Sequence, residues 1–512
     1  MSGPVGGGRT RHATTPPAQE AVEAAPRVVT VGGLARSRAL RRAVLAVVGL
    51  AGLVGLLAAV GDSGPGLSSD GRTTVVVFTV AVVAWVFTKI DDTYVALGAA
   101  VVLVLTGVLS SEELFATLGD DTVWLLLAAF VIAAGVTSSG LATRATAFVV
   151  SAARTPRQLF HLLTGALLVT TFAVPSTSGR AALALPVFLC LARVFADRPQ
   201  LVRALALLFP TVVLLSAVGS LLGAGAHLVT SEVLRTATGE GISFVRWLLL
   251  GLPLAVVASH TAAELVLALF TSRQERARGL VLEADDFAAD APGPVTGPLS
   301  VAESRAALLL ATVVLLWCSE PLHGIDPAVV ALVGALVATS PRYGSVTLSG
   351  GLKAAPWSLL LFLAATLALG SALTSSGAAS WFAGGLFGGF QGGGAALPFI
   401  VVVIVVSTAL HLLVQSRSAR SSVLVPIVVA LSPAVGVDPA AAAFASTAAA
   451  GFCHTLPSSA KPVALFAKVE GGETYAPRDL LRLSAFLAPL SALVVLVFSV
   501  AVWPLLGLPL TP

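Results

Sequence analysis

Charge is what this sequence has least of. Only 11% of its 512 residues are Asp, Glu, Lys or Arg, against roughly 25% in a soluble domain. Hydrophobic residues make up 56% of the chain and the mean hydropathy is +0.94, which excludes a water-soluble domain and leaves a polytopic membrane protein. Cysteine is almost missing as well: Cys190, Cys318 and Cys453 lie in apolar surroundings, at spacings that fit neither a disulfide framework nor a zinc site, and read as small core residues. No nucleic-acid signal is present. No Ser/His/Asp arrangement, metal-spaced cluster or nucleotide loop stands out, so neither an enzyme nor a cofactor is expected. The glycine-rich stretch 384–394 lacks the Gly-Lys-Ser/Thr ending of a phosphate loop and any strand before it, and reads as an outside loop.

What the sequence has in quantity is apolar runs. Residues 1–42, rich in glycine, proline, alanine and arginine, read as a disordered cytosolic tail without a cleaved signal peptide, and 43–71 as a first span with its outside loop. Apolar segments near 43–60, 72–89, 93–109, 122–138, 203–236, 243–271, 303–318, 325–341, 356–376, 439–468 and 479–506 give an all-α expectation of eleven spans. Two further pairs, 158–173 with 180–195 and 397–414 with 420–432, have arms of roughly sixteen residues interrupted by a polar turn, and read as re-entrant hairpins. Arginines 154, 157, 193, 198 and 203 flank the first hairpin, whereas the flanks of the second carry no Lys or Arg. The positive-inside rule then sets a cytosolic N-terminus and an outside C-terminus in the cell membrane. The mixed-charge segment 272–302 reads as a cytosolic linker.

The two halves repeat one another. "PSTSGRAALALP" (175–186) and "SRSARSSVLVP" (416–426) place Arg180 and Arg420 alike, and "TSSG" recurs at 137–140 and 374–377 after segments opening on Trp124 and Trp357. Repeat 1 covers 72–271, with hairpin 158–195 and broken span 203–236; repeat 2 covers 303–506, with hairpin 397–432 and broken span 439–468. Five spans in each is an odd number, so the repeats are inverted, the pattern of a secondary transporter whose site lies at the repeat interface.

A lone arginine at membrane depth costs roughly 2.5–3.5 kcal/mol on insertion scales. Arg180 and Arg420 also open helices, where the dipole and free N–H groups already favour an anion over a cation. An anion held between the tips, by these arginines, Arg417 and the hydroxyls of Ser176, Ser178, Ser416 and Ser418, compensates both costs. Alternatively the arginines snorkel, or cap carbonyls of a neighbouring broken helix, and the serines are ordinary N-caps. Glu264, with His260 one turn before it, is read as the one acidic residue well inside a span; it either carries a coupling proton or neutralises an arginine.

These stretches, together with "SAVGSLLGAGAHLVTSEVLRTATGEG" from 216 and "GFCHTLPSSAKPVALF" from 451, resemble the divalent anion:sodium symporter family of the ion transporter superfamily. The resemblance implies two hairpins with Ser-Asn-Thr tips, sodium sites built from tip asparagines and backbone carbonyls, and a homodimer in which a hairpin-bearing transport domain slides against a scaffold. It makes Ser176, Thr177, Ser178, Arg180, Ser416, Arg417, Ser418 and Arg420 substrate-binding candidates. At the helix breaks it points to Gly223, Ala224, His227, Pro457, Ser458, Ser459 and Lys461. Thr177 and Arg417 stand where the family has asparagine, and His227 and Lys461 where it has neutral residues. A tip cation repels sodium, so an exchanger or uniporter of dicarboxylate, tricarboxylate or sulfate is expected. A sodium-coupled symporter, an efflux or cation/proton antiporter, and a non-transporting relative remain open.

Overall fold

The computed structural model describes residues 67–512, except 89, 283–285, 287–295, 380, 382–394, 458, 470–471 and 512. The expected tail and the apolar part of the first span, the whole glycine-rich stretch 384–394 and part of the linker lie outside the described residues. What is described is nearly all helix; a two-residue antiparallel ladder, Lys468–Val469 with Gly472–Glu473, is the strand content among those residues.

The principal helices of the first half are α1 (Ser69–Phe87), α2 (Asp92–Leu105), α3 (Asp121–Ser138), α4 (Leu141–Ser151), α5 (Pro156–Ala173), α6 (Thr177–Val194), α7 (Pro199–Leu215), α8 (Gly225–Thr238) and α9 (Phe244–Phe270). Those of the second are α10 (Val301–Cys318), α11 (Pro327–Ala338), α12 (Trp357–Ser375), α13 (Ala396–Ala409), α14 (Arg417–Leu431), α15 (Pro439–Ala449), α16 (Lys461–Ala467) and α17 (Pro477–Val497). Among the described residues, eight helical stretches are long and apolar enough to cross a membrane. Six of them fall on expected spans and two are the hairpin arms α6 and α14; the first expected span lies outside the described residues, α2 and α11 are shorter apolar helices, and the second broken span is divided between α15 and α16.

Both hairpins turn on a serine. The Ser176 hydroxyl accepts from the amide of Gly179 at 3.2 Å to start α6, and the Ser416 hydroxyl accepts from that of Ala419 at 3.2 Å to start α14. Each of these arms then carries an internal proline, Pro186 or Pro426. The first break, 216–224, is two short 3₁₀ turns joined by extended residues, and the described residues of the second, 450–460, are turns, bends and irregular backbone. Packing exchanges partners between the halves: α8 lies against α14, α16 against α6, α3 against α11 and α12 against α2.

The first break is folded too tightly for side chains at two points. A Cβ on Gly223 falls 2.0 Å from the Ala217 carbonyl oxygen, and one on Gly251 of α9 falls 2.1 Å from that of Val218. Gly223→Ala therefore forces the backbone apart at a cost of roughly 1–3 kcal/mol or more. A thermal-stability scan in detergent is expected to show a clear loss; an unchanged midpoint would mean that the break is looser than this packing.

Two sequence expectations need correction. Cys318 is exposed rather than a core residue, while Cys190 and Cys453 are buried. Helix α4 has no counterpart in the span assignment; it is short, and its Arg144 turns inward to pair with Glu303 at 3.0 Å and to donate to the Gly297 carbonyl.

Candidate functional site

The turn of each hairpin is brought against the broken helices. Ser418, one residue into α14, packs on the first break: a Cβ on Gly225 would sit 3.3 Å from its hydroxyl. Arg417 joins both breaks, its Nη2 donating to the Leu214 carbonyl at 2.9 Å and to the Gly451 carbonyl at 2.9 Å. These are carbonyls that helix termination leaves without an intrahelical donor.

Arg180 and Arg420 hold equivalent sequence positions and are both fully buried, yet their surroundings differ. Arg180 donates from Nε to Thr170 Oγ1 (3.0 Å), from Nη1 to the Val213 carbonyl (3.0 Å), and from Nη2 to the Leu167 carbonyl (2.7 Å) and Ser216 Oγ (2.6 Å). Four of the five N–H groups of a guanidinium are thus consumed by the end of α5 and the end of α7. Arg420 donates from Nη2 to Cys453 Sγ at 3.0 Å, while its Nε and Nη1 meet no hydrogen-bond partner among the described residues.

A second unpartnered donor belongs to the residue after Cys453. His454 is fully buried; its Nδ1 accepts from the Cys453 amide at 3.3 Å, a pattern that assigns the proton to Nε2, and Nε2 has no partner among the described residues. No ion pair among the described residues involves Arg180, Arg417 or Arg420. The environment is cationic, walled by Phe452, which lies against the rings of His411 and His454.

The other candidates divide by contact. Ser178 and Thr177 open α6 with Ser176 as their cap. His227 is packed structurally: Nδ1 bonds the Ser220 carbonyl at 3.0 Å and the ring stacks on Trp247 at 4.9 Å. Gly223 and Ala224 form the tight exit from the first break. In the second break, Ser459 is buried and its hydroxyl accepts from the Leu456 amide at 2.9 Å, Pro457 is half-buried, and Ser458 lies outside the described residues. Lys461 is exposed at the start of α16.

Glu264 does not meet the tip arginines. It accepts from Arg157 Nε at 2.5 Å and bonds His161 Nε2 at 2.6 Å, and His161 Nδ1 in turn meets His260 Nδ1 at 2.8 Å. Nor is it the one acidic residue inside a helical stretch, since Glu232 of α8 is buried more deeply, against Arg235 at 2.6 Å. Asp120, Asp121 and Glu232 form the grouping with metal-ligand spacing among the described residues, and Arg235 already bridges Asp120 and Glu232.

Two residues of the site escaped the sequence reading. Cys453 looked like a core residue because its neighbours are apolar. Asp92 looked like ordinary N-terminal helix chemistry, yet it lies beside Ser416 and Lys461, where α2 meets the second hairpin.

Residues 44–509 match the family model described as "Sodium:sulfate symporter transmembrane region". Relatives include a membrane protein of Cupriavidus necator, 27% identical over 60% of this chain and 60% of that protein, so that the match spans three-fifths of its length. The sodium-dependent dicarboxylate transporter SdcS of Staphylococcus saprophyticus is 22% identical over 78% of this chain and 81% of its own. The putative malate transporter YflS of Bacillus subtilis is 23% identical over 66% and 71%. A family match that runs over nearly the whole chain, from the first expected span to the last helix, settles its membership: the protein belongs to the sodium:sulfate symporter family, the divalent anion:sodium symporters, and is an integral membrane transporter rather than an enzyme.

Proposed function

We propose that this chain moves a small multivalent anion, a dicarboxylate, tricarboxylate or sulfate, by alternating access, and that it does so as an exchanger or uniporter without the sodium sites usual in its family. The observation that carries the anion is Arg420: a fully buried guanidinium whose Nε and Nη1 meet no partner, and with which no acid pairs, among the described residues. A buried donor left unmade costs about 1–3 kcal/mol, and more when charged, which an anionic ligand repays with charge-assisted bonds. His454 Nε2, in the second break, offers a further buried donor that has no partner among the described residues.

Arg417 supports the sodium-independent part. Its Nη2 already lies on the Leu214 and Gly451 carbonyls, one from each side of the repeat, where a bound cation would otherwise draw on backbone oxygens. In this reading Arg417 is a tethered cation, and Arg180 positions the first hairpin rather than touching substrate. The hairpins and breaks move together as an elevator in a homodimer, with the N-terminus cytosolic and the C-terminus outside. The second reading, a sodium-coupled symporter, has its support in the name of the staphylococcal relative. Efflux by cation exchange is disfavoured because Glu264 is engaged with Arg157 and His161.

The test is uptake of labelled succinate, citrate and sulfate into proteoliposomes, with external sodium or choline and with or without internal anion. Sodium-independent uptake stimulated by internal anion is the expected result. Uptake that collapses in choline would overturn the tethered-cation reading and leave the symporter.

A further inference from the structure

The anion site contains an ionisable group of its own that neither the family match nor the sequence explains. Cys453 is 1% exposed and lies in the second break. Its sulfur accepts the Arg420 Nη2 bond at 3.0 Å, short for a nitrogen–sulfur contact, and Arg417 Nη2 bonds the same Gly451 carbonyl that the sulfur approaches at 3.6 Å. Its contacts as a donor are long, 3.8 Å to the Ala450 carbonyl and 3.6 Å to that of Gly451. A thiolate is stabilised beside cationic groups, as reactive cysteines generally are, and here it faces a guanidinium whose remaining Nε and Nη1 are unpartnered.

From this geometry we propose that Cys453 is held as a thiolate by Arg420 and Arg417, serving as the built-in counter-charge of the empty anion site and as an electrophile-reactive residue within it. The proposal rests on the anion-site reading of Arg420. Its logic is electrostatic: the buried guanidinium keeps one negative partner when substrate is absent, and an incoming anion must compete with that partner. A substrate of higher charge competes better than a monoanion. Cys453→Ser removes the competing charge while keeping the size, so binding of divalent sulfate tightens several-fold.

The thiolate also fixes the chemistry of modification. It attacks the sulfenyl sulfur of a methanethiosulfonate, forming a Cys–S–S–R bond and expelling methanesulfinate, with no oxidant and no proton released. The experiment uses the full chain with Cys190→Ser and Cys318→Ser, so that Cys453 is the sole thiol. Labelling by an anionic sulfonatoethyl reagent is compared with a cationic trimethylammonioethyl reagent by intact mass, from mildly acid to alkaline pH. The expected result is faster labelling by the anionic reagent, a rate nearly flat below neutrality, and protection by sulfate or citrate. An ordinary thiol, with its pKa near 8.5, would slow about tenfold per unit below that value, and this behaviour or a preference for the cationic reagent would overturn the proposal.

Should neither reagent reach the sulfur, the far-ultraviolet thiolate absorbance of the single-cysteine protein minus its Cys453→Ser form decides. A signal at neutral pH supports the thiolate and its absence overturns it. Protection by anion and uptake by the wild type test the anion site separately: a thiolate without protection or uptake sinks that reading alone.

Discussion

Arg420→Ala is expected to abolish anion uptake and reduce anion affinity at least about a hundredfold, since two charge-assisted hydrogen bonds of about 1.5–3 kcal/mol each disappear. The protein should remain folded. Among the described residues Arg420 bonds Cys453 alone, and its Nε and Nη1 hold no other group in place. Removing it also removes a desolvated charge, and Cys453 then takes up a proton instead of staying an unpaired thiolate, so thermal stability in detergent should be little changed. Arg420→Lys should recover little, because an ammonium is a point charge and cannot present the guanidinium fork. Equilibrium binding of labelled citrate and sulfate, measured beside size-exclusion profiles, separates the two effects. Wild-type uptake by the alanine variant would discard Arg420 as the anion's partner.

The hairpins and breaks were legible because irregular backbone at membrane depth needs polar or small residues to form it. In a chain this apolar, a serine turn inside an apolar run, as at Ser176 and Ser416, or a glycine-rich interruption, as at Gly219 and Gly223, marks a place where the helix stops. The number of full helices was less legible, because apolar stretches such as 93–109 and 325–341 do not show that their helices end at Leu105 and Ala338, short of a full span. Helix α4 was hidden for the opposite reason: Thr143, Arg144 and Thr146 interrupt its apolar face, and the pairing of Arg144 with Glu303 is non-local.

The roles of the arginines were the least legible feature. Arg180 and Arg420 are equivalent by sequence, and periodicity treats them alike. Their difference lies in what distant segments present to them: Thr170, Val213 and Ser216 in one case, Cys453 in the other. Internal symmetry of sequence therefore predicts position, not bonding. The same holds for Asp92, whose meaning depends on where α2 meets Ser416 and Lys461.

Arg180→Met is the second large effect, and it should be structural. Arg180 ties the end of α5, through Thr170 and the Leu167 carbonyl, to the end of α7, through the Val213 carbonyl and Ser216. Methionine fills much of the volume but satisfies none of these acceptors, and the loss is about 2–4 kcal/mol even after the relieved desolvation is allowed for. The variant should therefore show a lowered thermal midpoint and poor recovery of monodisperse protein. Arg180→Lys should rescue only in part, since three rotatable donors on one nitrogen cannot span acceptors from two helices. Added anion should stabilise the wild type but not Arg420→Ala, and should still stabilise whatever Arg180→Met protein folds, because the site's free donors remain. If instead Arg180→Met is as stable as the wild type and loses uptake alone, Arg180 touches the substrate, and the two repeats share the anion equally.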